Sequence, residues 1–137
     1  MSDVTREILA AKGTWAVVGL SPDPSRDSYR IASLLRARGF RVVPVNPHLT
    51  EWRGETAYPD LPSIPFAVDV VDLFRRSSEV PPHVDEAVAI GAKAVWMQLG
   101  VRHAEAAARA RAAGLTVVED RCPAIEFRRI EAEDQKR

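Results

Sequence analysis

The stretch Val18-Gly19-Leu20-Ser21-Pro22-Asp23-Pro24-Ser25-Arg26-Asp27-Ser28-Tyr29 carries the residue types that hold an anion. An apolar run ends at Gly19, a loop with two prolines follows, and an amphipathic stretch begins near Asp27 or Ser28. Strand, loop and helix in that order aim backbone N–H groups and a helix N-terminus at one point, where a phosphate can sit. Gly19 lets a backbone approach closely. Ser21, Ser25 and Ser28 supply hydroxyls, and Arg26 supplies a planar charged fork suited to a pyrophosphate. The same residues also read as a tight strand-to-helix turn with serines as caps. No Gly-Lys-Ser/Thr is present, so the loop is not a Walker A loop. Ser21 and Arg26 stand where a dinucleotide-binding Gly-x-Gly-x-x-Gly loop has glycines.

Other loops add polar groups at strand ends. The second strand ends Val45-Asn46-Pro47, where a fold built for NAD places an Asp or Glu to accept from the ribose hydroxyls. Asn46 offers only a neutral acceptor, which argues against NAD, while Val45 and Pro47 could flank an adenine. An ordinary strand-to-loop transition fits those three residues equally. The third strand ends Asp72-Leu73-Phe74-Arg75-Arg76. Its arginines suit a further phosphate and Phe74 suits a flat or apolar ligand group, against the alternative of solvated arginines and a core Phe. The fourth ends Trp96-Met97-Gln98-Leu99-Gly100, with Gln98 placed for an amide-bearing ligand or simply capping a strand end. Cys122 precedes a helix start, where a thiolate is favoured, but has no histidine near it in sequence and reads as inert. No nucleophile–base series or carboxylate pair stands out, and His48, His83 and His103 lack metal-ligand spacing. No catalytic residue and no metal ligand is therefore assigned.

Positioning these loops on one edge requires a particular architecture. Asp3 caps a short helix with Val4, Ile8, Leu9 and Ala11 as its apolar face. Strands are expected at Trp15–Leu20, Arg41–Val45, Val68–Leu73, Ala94–Leu99 and Leu115–Val118. Pro44 lacks a donor and belongs near its strand's end, where no ladder bond is needed. Between them lie helices from Asp27, from Pro81-Pro82 and from His103 to Ala113, with a last one from Pro123. Gly13, Gly39, Gly91 and Gly114 close helices, each just before an apolar strand. Residues His48 to Phe66 are irregular, with a turn at Gly54-Glu55 and a short helical turn at Asp60 to Ile64. The alternation predicts an α/β, Rossmann-like, doubly wound five-stranded parallel sheet with helices on both faces. The expected strand order is 3-2-1-4-5, with the crevice between the first and fourth strands.

The chain has 137 residues, 46% of them hydrophobic and 28% charged, which fits one domain over residues 1–137 with a charged tail fraying from about 131. Nineteen basic residues balance nineteen acidic ones, so no nucleic-acid or membrane surface is implied. One cysteine suits a reducing compartment, no apolar run is long enough to span a membrane, and the polar N-terminus has no signal core. A cytoplasmic protein is expected.

Six motifs occur in order: Val18-Gly19-Leu20-Ser21-Pro22-x-Pro24-Ser25-Arg26-x-Ser28-Tyr29, Pro44-Val45-Asn46-Pro47, Gly54-Glu55 with Tyr58-Pro59, Val71-Asp72-Leu73-Phe74-Arg75-Arg76, Trp96-Met97-Gln98-Leu99-Gly100 and Asp120-Arg121-Cys122-Pro123. With them the sequence resembles the small stand-alone CoA-binding proteins, which are similar to the N-terminal CoA-binding domain of the succinyl-CoA synthetase α subunit. The likeness spans about residues 12–130. It implies a Rossmann-like fold holding coenzyme A or an acyl-CoA. Gly19, Ser21, Ser25, Arg26 and Ser28 would hold phosphate, and Val45, Asn46 and Pro47 would line the adenosine end. Phe74 and Arg75 would flank the ligand, Gln98 and Leu99 would lie near the pantetheine, and Cys122 would face the thiol end. The synthetase's phosphohistidine domain and nucleotide-binding subunit have no counterpart here, so the resemblance implies binding without catalysis. The alternatives are a nicotinamide-dependent redox enzyme or sensor, and a partner-dependent subunit of a CoA ligase.

Overall fold

A computed structural model describes residues 3–137. Five parallel strands form the main sheet: β1 (Thr14–Val18), β2 (Arg41–Val45), β5 (Val70–Leu73), β6 (Ala94–Met97) and β7 (Thr116–Val118). β3 (Glu51–Trp52) and β4 (Glu55–Thr56) pair as a small antiparallel hairpin around Gly54. The helices are α1 (Val4–Ala11), α2 (Asp27–Ala37), α3 (Val80–Ala89), α4 (Ala104–Ala112) and α5 (Pro123–Gln135).

The sequence patterns explain these elements locally. Asp3 caps α1 by accepting from the Arg6 N–H at 3.1 Å. His103 Nδ1 does the same for α4, accepting from the Ala106 N–H at 3.1 Å. Pro81 and Pro82 sit in the first turn of α3, where their missing donors cost nothing. Asp60 caps the short 3-10 turn Leu61–Ser63. The strands are buried on both faces. Val70, Trp15, Val17, Ala94, Trp96 and Val118 pack under α1, α2 and α5, together with Leu9, Leu35 and Phe127. Ala16, Val18, Val71, Leu73, Val95 and Met97 pack under α3 and α4, with Val84 and Ala107. Trp15 anchors the first of these cores, stacking at tilted and edge geometry on Trp96 and Phe40.

The fold class is the expected one, but the strand order is β2-β1-β5-β6-β7 rather than 3-2-1-4-5. In terms of the five main strands this is 2-1-3-4-5, the other common doubly wound order. The third main strand pairs with β1, and β2 is an edge. Pro44 explains why. Its carbonyl accepts from the Tyr58 N–H at 3.0 Å on the outer side of β2, while the Asn46 N–H donates to the Tyr58 carbonyl at 2.9 Å. A residue's nitrogen and carbonyl point to the same side of a strand, so the Pro44 nitrogen also faces outward, where it has no proton to give another strand. The connection from β2 then crosses back over β1, carrying Leu61, Ile64 and Val68 into the α3/α4 core. The winding reverses between β1 and β5, not between the first and fourth strands. The C-terminus also differs from expectation: residues beyond 131 continue α5 to Gln135. Arg6 clasps that end, reaching Glu133 at 2.8 Å and Asp134 at 2.9 Å.

Candidate functional site

The reversal point sets β1 and β5 side by side, so their following loops meet. The Phe74 N–H donates to the Val18 carbonyl at 3.0 Å. Gly19 has φ +86°, and a Cβ there would lie 2.5 Å from the Phe74 carbonyl oxygen and 3.3 Å from Arg75 Cδ. Glycine at this position thus admits the neighbouring loop. This is the close backbone approach that the sequence leads one to expect at Gly19.

The loop from β1 into α2 is braced from within. The Ser28 hydroxyl, buried in the first turn of α2, accepts from the Ser21 N–H at 3.0 Å. Ser21 Oγ accepts from the Asp23 N–H at 3.1 Å. Asp23 in turn accepts from both the N–H and the hydroxyl of Ser25, at 2.9 and 2.8 Å, and these bonds hold its carboxyl below the usual range. Ser21 and Ser28 keep their hydroxyl protons for another partner, while Ser25 has committed its own to Asp23. Arg26 is the N-cap residue of α2 and makes no side-chain capping bond, which leaves N–H groups of the first turn open.

The remaining loops tie in around this one. Asn46 is committed at both ends of its amide: Nδ2 donates to the Leu20 carbonyl at 2.9 Å, and Oδ1 accepts from the His48 N–H at 2.8 Å. Its role in the structure is to join the loops after β1 and β2. Arg75 is paired with Glu79 at 2.7 Å. The loop after β6 is fixed by the Arg102 N–H donating to Ser77 Oγ at 3.0 Å and by Asp120, which accepts from Gly100 and pairs with Arg102. Those bonds, the Gly100 N–H first, hold the Asp120 carboxyl below its ordinary value.

Three hollows lie along this edge, and neighbouring ones share lining residues. The first, about 580 Å³, is lined by Gly19, Ser21, Ser25, Arg26 and Ser28, with Phe74 at its side. The second, about 370 Å³, shares Gly19 and is lined by Val45, Asn46 and Pro47 with Asp60, Arg75, His83 and Glu86. Burial, then the Arg75 charge, pushes the His83 pKa down, and burial followed by the Asp60 charge pushes that of Glu86 up. The third, about 530 Å³, shares Asp27, Arg30 and Phe74 with the first and is lined by Arg75, Gln98, Leu99, Val101 and Cys122. Every site residue expected from the sequence therefore lines one of three neighbouring hollows that share residues. Among the described residues no cluster of His, Cys, Asp and Glu could hold a metal ion.

The family described as the CoA binding domain matches residues 13–128. The chain belongs to that family. An uncharacterised protein of Bacillus subtilis (strain 168), YneT, is 35% identical over 117 residues, covering 85% of this chain and 87% of its own length. The solved structure of cell-free ID.343 from Thermus thermophilus is similar, with TM-score 0.87 and 39% identity over 94% of this chain and 98% of that one. The dinucleotide-forming acetyl-coenzyme A synthetase 1 of Candidatus Korarchaeum cryptofilum matches 85% of this chain with 27% of its own, at TM-score 0.71 and 28% identity. The similar fold thus spans 98% of the Thermus thermophilus chain and 27% of the synthetase chain.

One residue of this CoA binding domain escaped the sequence reading. Asp72 lies wholly buried in β5, on the α2/α5 face. Its Oδ1 accepts from Gln98 Nε2, and its Oδ2 has no hydrogen-bond partner. Burial pushes its carboxyl up to about 8, opposed by the Gln98 bond. The signal was an acidic residue inside an otherwise apolar strand covered on both faces.

Proposed function

We propose that this protein binds coenzyme A or an acyl-CoA along the carboxyl edge of the sheet and catalyses no reaction by itself. The observation that carries this reading is the succession of chemistry in neighbouring hollows along one edge. A mixed hollow at Val45, Asn46 and Pro47 adjoins a polar, hydroxyl-rich one at the α2 N-terminus, which adjoins an apolar one at Phe74, Leu99 and Cys122. Coenzyme A presents the matching series: a 3′-phosphoadenosine, a pyrophosphate and a long arm with two amides, ending in a thiol. The adenine lies against Val45 and Pro47, where the Asp60 and Glu86 carboxyls offer acceptors for its amino group. The pyrophosphate meets Ser21, Arg26 and the open first turn of α2. It competes with Asp23 for the Ser25 donors. The arm passes Phe74 and Arg75 into the hollow of Gln98, Leu99 and Cys122.

NAD is the weaker fit. Asn46 rather than an acidic residue directly follows β2, and its amide is spent on Leu20 and His48. Calorimetry with CoA, dephospho-CoA, NAD and ATP tests the proposal. CoA is expected to bind, and clear NAD binding with none for CoA overturns it. Arg26→Ala is expected to weaken CoA by about 1–3 kcal/mol through loss of a charge-assisted contact. Unchanged affinity would move Arg26 out of the site.

A further inference from the structure

The pair Asp72–Gln98 lies directly beneath the apolar hollow, and no catalytic or phosphate-binding role accounts for it. Asp72 is wholly buried, and its register neighbours are Val17 in β1 and Trp96 in β6. Gln98 is itself 6% exposed, yet borders the hollow. Its Nε2 is turned down to Asp72 Oδ1. No protein donor reaches its Oε1, which is also not sealed in the core. Keeping a carboxyl here is costly, because one of its oxygens is buried with no partner. A leucine of similar size would pack in the same core without that cost.

We propose that Asp72 is a positioning residue that turns the Gln98 amide so that its carbonyl oxygen faces the hollow, selecting ligands that present an uncharged N–H donor there. Resting on the CoA reading above, the donor is an amide N–H of the pantetheine arm. An amide left free to rotate presents donor and acceptor alternately. One held by its NH2 group presents an acceptor alone, which pairs with an amide N–H and repels a carboxylate. Burial raises the Asp72 carboxyl, and the bond from Gln98 Nε2 to its Oδ1 opposes that rise. Asparagine is its nearest substitute, with an oxygen that still accepts from Gln98.

Two measurements decide this. The first uses ligand-free protein: hydrogen exchange of the Gln98 side-chain NH2 followed by NMR. Slow exchange is expected in the wild type and in Asp72→Asn, and fast exchange in Asp72→Leu, which keeps an apolar filling but no acceptor. Fast exchange in the folded wild type means that the NH2 group faces the hollow, and the proposal is overturned. The second compares CoA with adenosine 3′,5′-bisphosphate, which lacks the arm. Asp72→Leu is expected to weaken CoA about three- to tenfold, the worth of one neutral hydrogen bond, and Asp72→Asn to restore most of it. Neither should change binding of the bisphosphate. Equal losses for both ligands, or no rescue by Asn, reduce Asp72 to a structural residue and overturn the proposal. A wild type that ignores CoA refutes the CoA reading and with it the pantetheine donor, while the exchange measurement still decides how Gln98 is held.

Discussion

Gly19 shows how one residue's conformation fixes the approach of two loops. Its φ of +86° lies in the left-handed region, and the space of a Cβ is taken by the Phe74 carbonyl at 2.5 Å. Gly19→Ala should therefore destabilise twice, by about 1–2 kcal/mol for the backbone conformation and by more for the displaced loop. Urea denaturation should show a lower midpoint with an unchanged slope, and an unaltered midpoint would mean that the two loops part easily. Gly19 was legible in the sequence as special, but the neighbour that requires it was not, because Phe74 lies far away along the chain. Asn46 was read as a weak ribose acceptor, and its two hydrogen bonds to other loops became visible only once those loops were brought together.

Elements were the most legible scale. Caps, prolines and glycines marked the starts and ends of α1, α3 and α4 because their physical effects are local. The end of α5 was not legible. A run of charge reads as a fraying tail until Arg6, at the other end of the chain, is found beside Glu133 and Asp134. These pairs are largely exposed and screened by water, so each contributes little to stability. The first turn of α2 makes a sharper prediction. Ser28 Oγ receives the Ser21 N–H and so holds the loop against its own helix. Ser28→Ala should cost about 1 kcal/mol of stability and weaken CoA as the loop loosens. Calorimetry and urea denaturation in one buffer should register both effects, and a loss of stability alone would separate the brace from the ligand.

At the scale of the whole molecule, burial of Asp72 couples folding to pH. Its carboxyl ionises near 3.8 when exposed and near 8 in the fold. Between those values the folded chain holds a proton that the unfolded chain has lost. This group therefore makes stability fall as pH rises from about 4 to about 8, and its contribution levels off above that, where both states are ionised. Urea midpoints across that window should show the decline, and Asp72→Asn should flatten it. An identical slope in the variant would place the titration elsewhere. No helix of the described residues is long and apolar enough to cross a membrane.

The sequence alone determined the number and kind of main elements, the parallel sheet and the residues of the edge loops, because periodicity, capping and loop chemistry act over a few residues. Strand order was decided by tertiary structure. A right-handed crossover permits the third main strand on either side of its predecessors, and the choice rests on what each edge can still bond. Pro44 held part of the answer, since a strand with a proline facing outward cannot lie inside a sheet, but the side it faced was not visible in the sequence. That order places Phe74 and Arg75 beside Gly19 and gathers the hollows on one edge. Asp72 beneath it was likewise settled only in three dimensions, because Gln98, its partner, is 26 residues away.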